Sequence, residues 1–214
     1  MIKHIKHIRT SGTLLPASVF LVGRLVRSVD FDRALHIVEL GVGTGCVTRE
    51  LLKRMRPDAR LISLEINEIF VEQCRSIRDD RLVLRHSCAT LLSQVLEEEG
   101  FDGVDVVVSS LPLALMNHDV VDRIVESSCE SLRPGGKFLQ YQYSLKHLPT
   151  LNRHFGDVHV GFVPYNVPPA FVFECSEIAE AGRAGGWPRA SLAWLYAGML
   201  ATVSMAVRAL HDLY

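Results

Sequence analysis

Residues 35–48 read LHIVELGVGTGCVT, and this stretch decides the fold. Its first half is a short apolar run typical of a buried parallel strand, and it breaks into three alternating glycines, Gly41, Gly43 and Gly45. Residues 48–55, TRELLKRM, then place leucines and a methionine at helical spacing. We therefore predict the first strand–loop–helix turn of an α/β domain, whose glycine loop lets the backbone approach a ligand closely.

The composition allows one domain with a full hydrophobic core and appendages. The chain has 214 residues, of which 48% are apolar and 22% charged. Residues 1–29 carry five basic side chains and no acidic one, so the net charge of −1 leaves −6 on the other 185 residues. A basic arm on an acidic body predicts an anionic partner, either a lipid surface or a nucleic acid.

Neither a disulfide framework nor a metal site is expected. The five cysteines are widely scattered and never form C-x-x-C, which predicts reduced thiols. His147, His154 and His159 lack the spacing of metal ligands.

Residues 1–9, MIKHIKHIR, predict a short basic amphipathic helix. Its isoleucines fall within one third of a helical wheel, with Lys3, Lys6 and Arg9 beside them. Two interpretations have equal weight: insertion at an anionic membrane interface, or a frayed terminus that packs on the domain.

Residues 16–29 predict a helix that leads to the first strand. Its core-facing residues are expected to be Phe20, Leu21, Leu25 and Val26. Residues 14–22 are apolar enough for a signal peptide, but two arginines follow and no small-residue cleavage site appears, so we expect no export.

An acidic residue follows the glycine loop at an informative distance. Residues 60–66, RLISLEI, predict the second strand, and Glu65 lies twenty residues beyond Gly45. In nucleotide-binding α/β folds, an acid at the tip of this strand accepts hydrogen bonds from ribose hydroxyls. Ser87 and Cys88 end the third strand, where an adenine edge would be met.

The rest of the chain alternates between strands and helices. Helices are predicted at 68–77, 91–98 and 120–132, strands at 82–85, 104–109 and 137–143, and a closing hairpin at 157–163 with 170–175. Residues 133–136, RPGG, predict a tight turn into the fifth strand. The fold class predicted is α/β: a Rossmann-like seven-stranded, mostly parallel sheet with an antiparallel C-terminal edge strand and helices on both faces.

These motifs together resemble those of class I S-adenosylmethionine-dependent methyltransferases. The residues that carry the resemblance are 39–45, ELGVGTG, the acid Glu65, and 132–136, LRPGG. A dinucleotide-binding Rossmann domain is the nearest competitor, but its loop reads G-x-G-x-x-G, and here the third glycine comes one residue earlier. The resemblance implies S-adenosyl-L-methionine as cofactor and S-adenosylhomocysteine as product.

The resemblance also implies which residues hold this cofactor. Glu39 and the glycine loop would hold its methionine end, Glu65 its ribose, and residues 109–113 would line the floor near the reacting methyl group. The implied cofactor-binding residues are Glu39, Gly41, Gly43, Thr44, Gly45, Glu65, Ile66, Ser87, Cys88, Ser109 and Leu111.

Four smaller segments resemble bacterial phospholipid N-methyltransferases. They are residues 10–18, TSGTLLPAS; 109–113, SSLPL; 140–143, QYQY; and 166–170, NVPPA. Those enzymes methylate phosphatidylethanolamine stepwise towards phosphatidylcholine, and their N-terminal helix lies on anionic membrane. The resemblance implies a phospholipid amine as acceptor, with an ornithine-type amino lipid as the alternative.

Methyl transfer from a sulfonium requires a neutral amine, close approach and desolvation. Under the resemblance, the candidate catalytic residues are Tyr141, Tyr143 and Asn166, which would contact the amine and phosphate. Lys6 and Arg9 are further candidates for the phosphate. Ordinary strand packing is an equally weighted alternative for the tyrosines.

Two other functions are alternatives. Enzymes that methylate adenine N6 in rRNA place Asn or Asp, then Pro and an aromatic ring, after the fourth strand, whereas residues 109–113 supply neither amide nor ring. Nucleic acid is therefore disfavoured as a partner. A non-catalytic S-adenosylmethionine-binding scaffold is the other alternative, because binding residues alone do not prove transfer.

Three parts are predicted along the chain: a basic N-terminal helical region at 1–29, the methyltransferase domain at 30–176, and a linker with an apolar helix at 177–214. Residues 190–207 are uncharged and would span about 27 Å as a helix, just enough for a thin bilayer core. A membrane anchor and a helix packed on the domain or on a homodimer partner are equal alternatives. We expect a cytoplasmic protein peripherally associated with the inner membrane.

Overall fold

The computed structural model describes residues 17–179. The predicted basic helix at 1–9 and the apolar helix at 190–207 lie outside the described residues. The strands within them are β1 (His36–Leu40), β2 (Arg60–Glu65), β3 (Leu82–His86), β4 (Val104–Ser109), β5 (Leu132–Gln142), β6 (Phe155–Val163) and β7 (Ala170–Ile178). The helices are α1 (Val19–Val26), α2 (Cys46–Arg54), α3 (Glu68–Cys74), α4 (Leu92–Glu98), α5 (His118–Ser131) and α6 (Leu148–His154).

The strands form one sheet in the order β3-β2-β1-β4-β5-β7-β6. Strands β1 to β5 are parallel, and β7 is antiparallel to both of its neighbours, β5 and β6. The predicted fold class is confirmed, and the order adds that β7 lies one place in from the edge. The ends of β1 to β6 and the start of β7 therefore meet at one side of the sheet, which we call the carboxyl edge.

Helices cover the sheet on both faces. Helices α1 and α2 pack together over Ile37, Leu61 and Leu139, which come from different strands. The opposite face buries Phe138 and Phe155, whose rings stack with centroids 5.7 Å apart. The chain places β2 and β3 on one side of β1, and β4 and β5 on the other side. Because crossovers between parallel strands are right-handed, α4 and α5 lie on that second face. Covered faces explain the near-continuous apolar strands.

Helix α1 is shorter than the helix predicted at 16–29, and one of its predicted core residues is exposed. Leu21, Leu25 and Val26 are buried as predicted, but Phe20 is 61% exposed. Residues four apart share a face of a helix, whereas Phe20 is turned about 100° from Leu21. The Phe20 ring instead contacts Tyr165, with centroids 5.8 Å apart.

The prediction of a tight turn at RPGG before the fifth strand is wrong. The segment is a bulge within that strand. Strand β5 is continuous from Leu132, which pairs with Val104 of β4. The next registered pair joins Lys137 to Val106, so β4 advances two residues while β5 advances five. Gly135, at φ +81°, permits the excursion.

Helix α6 was not predicted, because its seven residues are too few to show a helical period. Two short 3₁₀ turns, Ala89–Leu91 and Leu113–Leu115, were also missed. The closing hairpin is confirmed, although β6 starts at Phe155 and β7 runs on to Ile178. These differences leave the carboxyl edge as predicted.

Candidate active site

The glycine loop runs from the end of β1 to the start of α2 with φ values of +83° at Gly41, +52° at Gly43 and +77° at Gly45. A Cβ added at Gly41 would lie 2.9 Å from the Leu111 side chain, so that glycine permits close packing within the protein. At Gly43, no atom of the described chain lies within 4 Å of an added Cβ. The middle of the loop therefore faces open space in which a ligand can lie against the backbone.

Glu65 at the end of β2 is bound to the loop. Its Oε2 accepts a hydrogen bond from the Gly43 N–H at 3.0 Å, and its Oε1 accepts one from the Asn67 N–H at 2.8 Å. Each carboxylate oxygen keeps a lone pair for a further donor. Glu65 thus fixes the position of Gly43 in the loop and keeps acceptor capacity for the hydroxyls of a ligand. Sequence reasoning missed Asn67, whose side chain also caps α3 by accepting from Ile69 N–H at 3.0 Å.

Glu39 lies fully buried within β1. Its Oε2 accepts hydrogen bonds from the Thr48 and Ser63 hydroxyls, each at 2.7 Å, while Oε1 has no partner among residues 17–179. Burial raises the pKa of this carboxyl from 4.5 to about 7, although the two hydroxyl donors oppose the rise. A cationic ligand group would satisfy Oε1. The sequence signal for Ser63 is a polar residue at a buried position of an otherwise apolar strand.

A stability measurement tests this environment. Because the pKa of Glu39 is raised from 4.5 to about 7 in the fold, the unfolded chain releases this proton first, and the wild type loses stability as the pH rises from about 4.5 to about 7. We expect the thermal stability of Glu39→Gln relative to the ligand-free wild type to rise between about pH 4.5 and about pH 7 and to stay constant above that range. Differential scanning fluorimetry of both proteins measures this difference. A difference in melting temperature that does not change with pH would contradict the account.

Ile66, Ser87 and Cys88 lie together beyond the ends of β2 and β3. The Ile66 side chain is 45% exposed, and its carbonyl lies 3.0 Å from His86 Nε2. The Ser87 N–H donates to the Glu65 carbonyl at 3.0 Å, and the Cys88 thiol accepts from the Thr90 hydroxyl at 3.1 Å. These residues adjoin Glu65, on the side predicted to meet the adenine.

Thr44 and Ser109 differ in exposure. Thr44 is exposed, and its carbonyl accepts from the Arg49 guanidinium at 2.9 Å. The Ser109 side chain is fully buried at the end of β4. The predicted contacts of Thr44 and Ser109 with the cofactor stay predictions. The Leu111 side chain packs against the glycine loop at Gly41.

A pocket of about 150 Å³ opens where β4 and β5 end. Its lining is mostly apolar and includes Ser110, Leu111, Leu115, Tyr141, Gln142 and Tyr143. The tyrosine rings meet edge to face with centroids 6.0 Å apart. Burial raises the pKa of Tyr141, so its hydroxyl stays protonated at neutral pH. The structure therefore brings both predicted tyrosines together with the SSLPL segment.

Two glutamines that sequence reasoning left without a role hold this segment. The Leu111 carbonyl accepts hydrogen bonds from Nε2 of Gln140 and of Gln142, each at 3.0 Å. Gln142 Oε1 also accepts from the Ala114 N–H at 3.2 Å. The buried Ser110 hydroxyl makes no well-formed hydrogen bond within residues 17–179, but it lies near enough to the Tyr141 hydroxyl to oppose the rise in the pKa of that tyrosine. The two glutamines therefore fix the backbone of this segment, and Ser110 lies beside Tyr141 in the lining of the pocket.

Asn166 is not among the pocket-lining residues. Its Oδ1 accepts from the Ser18 N–H at 3.0 Å, and its Nδ2 donates to the Pro168 carbonyl at 2.7 Å. These contacts give it a structural role, and its predicted contact with substrate stays a prediction. Lys6 and Arg9 lie outside the described residues.

Within residues 17–179, no three His, Cys, Asp or Glu side chains are grouped as metal ligands. None of the helices described there is long and apolar enough to cross a bilayer.

Comparison with known proteins identifies relatives of this chain. Residues 37–136 match a family described as methyltransferase domain. The chain is 30% identical over 190 residues to the ornithine lipid N-methyltransferase of Singulisphaera acidiphila, and the match covers 84% of this chain and 95% of the relative.

Two solved structures resemble the fold. Precorrin-6y C5,15-methyltransferase from Geobacter metallireducens has a TM-score of 0.59 at 15% identity, covering 73% of this chain and 87% of that one. N-methyltransferase NodS from Bradyrhizobium japonicum has a TM-score of 0.59 at 13% identity, covering 74% and 93%. At these identities, the likeness shows the fold alone.

Proposed function

Because the chain belongs to the class I S-adenosylmethionine-dependent methyltransferases, we propose that it transfers methyl groups to the amine of a membrane lipid. The observation that carries the proposal is the small, mostly apolar pocket at the carboxyl edge, which is lined by Tyr141, Tyr143 and Ser110. The relative that methylates ornithine lipid supports the same substrate class.

The residues of the site fit S-adenosylmethionine. Open space at Gly43 accommodates a ligand against the backbone, and the unpartnered Glu39 Oε1 suits the ammonium of its methionine part. Glu65 keeps lone pairs for the ribose hydroxyls, and the exposed Ile66 offers an apolar surface to the adenine. When bound, this cofactor supplies an electrophilic methyl group on a sulfonium.

The pocket can prepare an amine for attack. An apolar lining disfavours the charged ammonium and so favours the neutral amine that methyl transfer requires. The Ser110 hydroxyl can accept a hydrogen bond from the amine and orient its lone pair. The rings of Tyr141 and Tyr143 exclude water from one wall. A protonated Tyr141 hydroxyl can donate a hydrogen bond but is no general base at neutral pH.

The substrate we propose is a lipid with a primary amine in its headgroup. Phosphatidylethanolamine is the acceptor expected from the sequence, and an ornithine lipid is the acceptor in the name of the relative. The proposal includes peripheral association with the cytoplasmic side of the inner membrane, through which the enzyme would reach either lipid.

Lipid analysis of an expressing host tests this proposal. In a host that makes both lipids, the wild-type protein is expected to produce N-methylated forms of at least one, identified by mass spectrometry of the lipid extract. Ser110→Ala should lower their amount about fivefold, because one hydrogen bond to the amine is lost. Ser76→Ala removes an exposed hydroxyl that does not line the pocket and should have no effect. An unchanged lipid profile despite folded wild-type protein would contradict the proposal.

A further inference from the structure

Four large apolar side chains are exposed at the start of α1 and in the loop between β6 and β7. Val19 and Phe20 begin α1 and are 81% and 61% exposed, and Tyr165 and Val167 lie in the β6–β7 loop with 76% and 77% exposure. The Phe20 and Tyr165 rings are in contact. We call these residues the apolar tip. Such a concentration of exposed apolar groups usually marks a surface of interaction.

Hydrogen bonds hold the tip in place. The Ser18 N–H donates to Asn166 Oδ1 at 3.0 Å, which ties the start of α1 to the β6–β7 loop. The Ser18 hydroxyl also accepts from the Leu21 N–H at 3.2 Å as the cap of α1. Asn166 in turn donates to the Pro168 carbonyl at 2.7 Å and is almost fully buried. The exposed side chains are therefore presented by a fixed backbone, and Asn166 has its role here.

The tip and the acceptor pocket lie at the same edge of the sheet. Strand β6 runs in the same direction as β5, so the β6–β7 loop lies at the carboxyl edge. That edge also carries Leu115, which lines the pocket and is 64% exposed, and the exposed Lys146, whose ammonium donates to the Ala114 carbonyl at 3.0 Å.

We propose that the apolar tip inserts into the interface of an anionic bilayer and turns the pocket towards the lipid headgroups. This inference rests on the proposed function, because a lipid acceptor keeps its acyl chains in the bilayer while its amine enters the pocket. Aromatic and aliphatic side chains beside basic ones suit such an interface. The sequence that precedes the tip is basic, since residues 1–16 contain three lysine or arginine residues and no acidic one, and this composition favours an anionic surface.

Vesicle binding by the full-length chain tests the inference. The variant replaces Phe20, Tyr165 and Val167 by serine, and the control Ile178→Ser changes a 46% exposed residue at the far end of β7. The vesicles contain phosphatidylglycerol and phosphatidylcholine, which offer no acceptor amine. We expect the triple variant to bind them about tenfold more weakly and the control to bind as the wild type does.

Two further measurements separate the outcomes. Unchanged S-adenosylmethionine affinity shows that the triple variant is folded, and unchanged methylation of a dispersed short-chain amino lipid shows that its pocket is intact. Wild-type vesicle binding by the triple variant would overturn the inference. So would a dimer of the wild type that the substitutions dissociate without weakening vesicle binding. Weakened vesicle binding in a protein that methylates no lipid would support the membrane face and overturn the proposed acceptor alone.

Discussion

Replacing Glu65 by glutamine is expected to weaken binding of S-adenosylmethionine about a hundredfold. The carboxylate accepts hydrogen bonds from the Gly43 and Asn67 N–H groups, at 3.0 and 2.8 Å, and has capacity left for the ribose hydroxyls. A glutamine amide would aim an NH₂ group at one of these N–H donors. The variant therefore loses a charge-assisted contact to the ligand and the hydrogen bond that positions the loop.

Isothermal titration calorimetry measures this loss, with Glu72→Gln as the matched control. Glu72 is an acid on α3, with a side chain 70% exposed and paired to Arg75 on the surface. An exposed ion pair of this kind contributes little, so the control should bind the cofactor as the wild type does. If Glu65→Gln kept its affinity within about threefold, Glu65 would not be a ribose ligand.

Gly43→Ala is expected to weaken S-adenosylmethionine binding about fiftyfold. An added methyl group would project into the open space that the loop leaves for the ligand. The substitution also strains the backbone, because Gly43 has φ +52°. That strain costs about 1–2 kcal/mol of folding stability and must be separated from the effect on binding.

Gly100→Ala provides the separation. Gly100 lies between α4 and β4, has φ +73°, and likewise has open space around an added Cβ within the described structure. Both alanine variants should lose similar thermal stability, and Gly43→Ala alone should lose cofactor affinity. Equal affinities of the two variants would show that the middle of the loop does not face the cofactor.

The cofactor half of the site was predictable because its signals are local in sequence. Alternate glycines after an apolar run require close backbone approach, and the interval to Glu65 follows from one strand–helix–strand unit. The alternation of strands and helices restricts the topology to few choices, which is why a seven-stranded, mostly parallel sheet could be predicted, although the inner position of β7 could not.

What the sequence did not reveal depends on contacts between distant residues. The Asn166 amide was assigned to substrate, yet it binds Ser18, which is 148 positions away. The Gln140 and Gln142 amides bind Leu111 only because β4 and β5 are neighbours in the sheet. The exposure of Phe20 depends on how α1 is rotated about its axis. The eight residues of α1 carry apolar side chains on several sides, so their pattern does not fix that rotation.

Methyl transfer by the purified protein tests the central claim most directly. The full-length protein is incubated with S-adenosylmethionine carrying a labelled methyl group, together with vesicles that contain phosphatidylethanolamine and ornithine lipid, and with total RNA in a parallel reaction. We expect label in an amino lipid of the vesicles and none in RNA. Label in RNA alone, or in neither despite measurable cofactor binding, would contradict it.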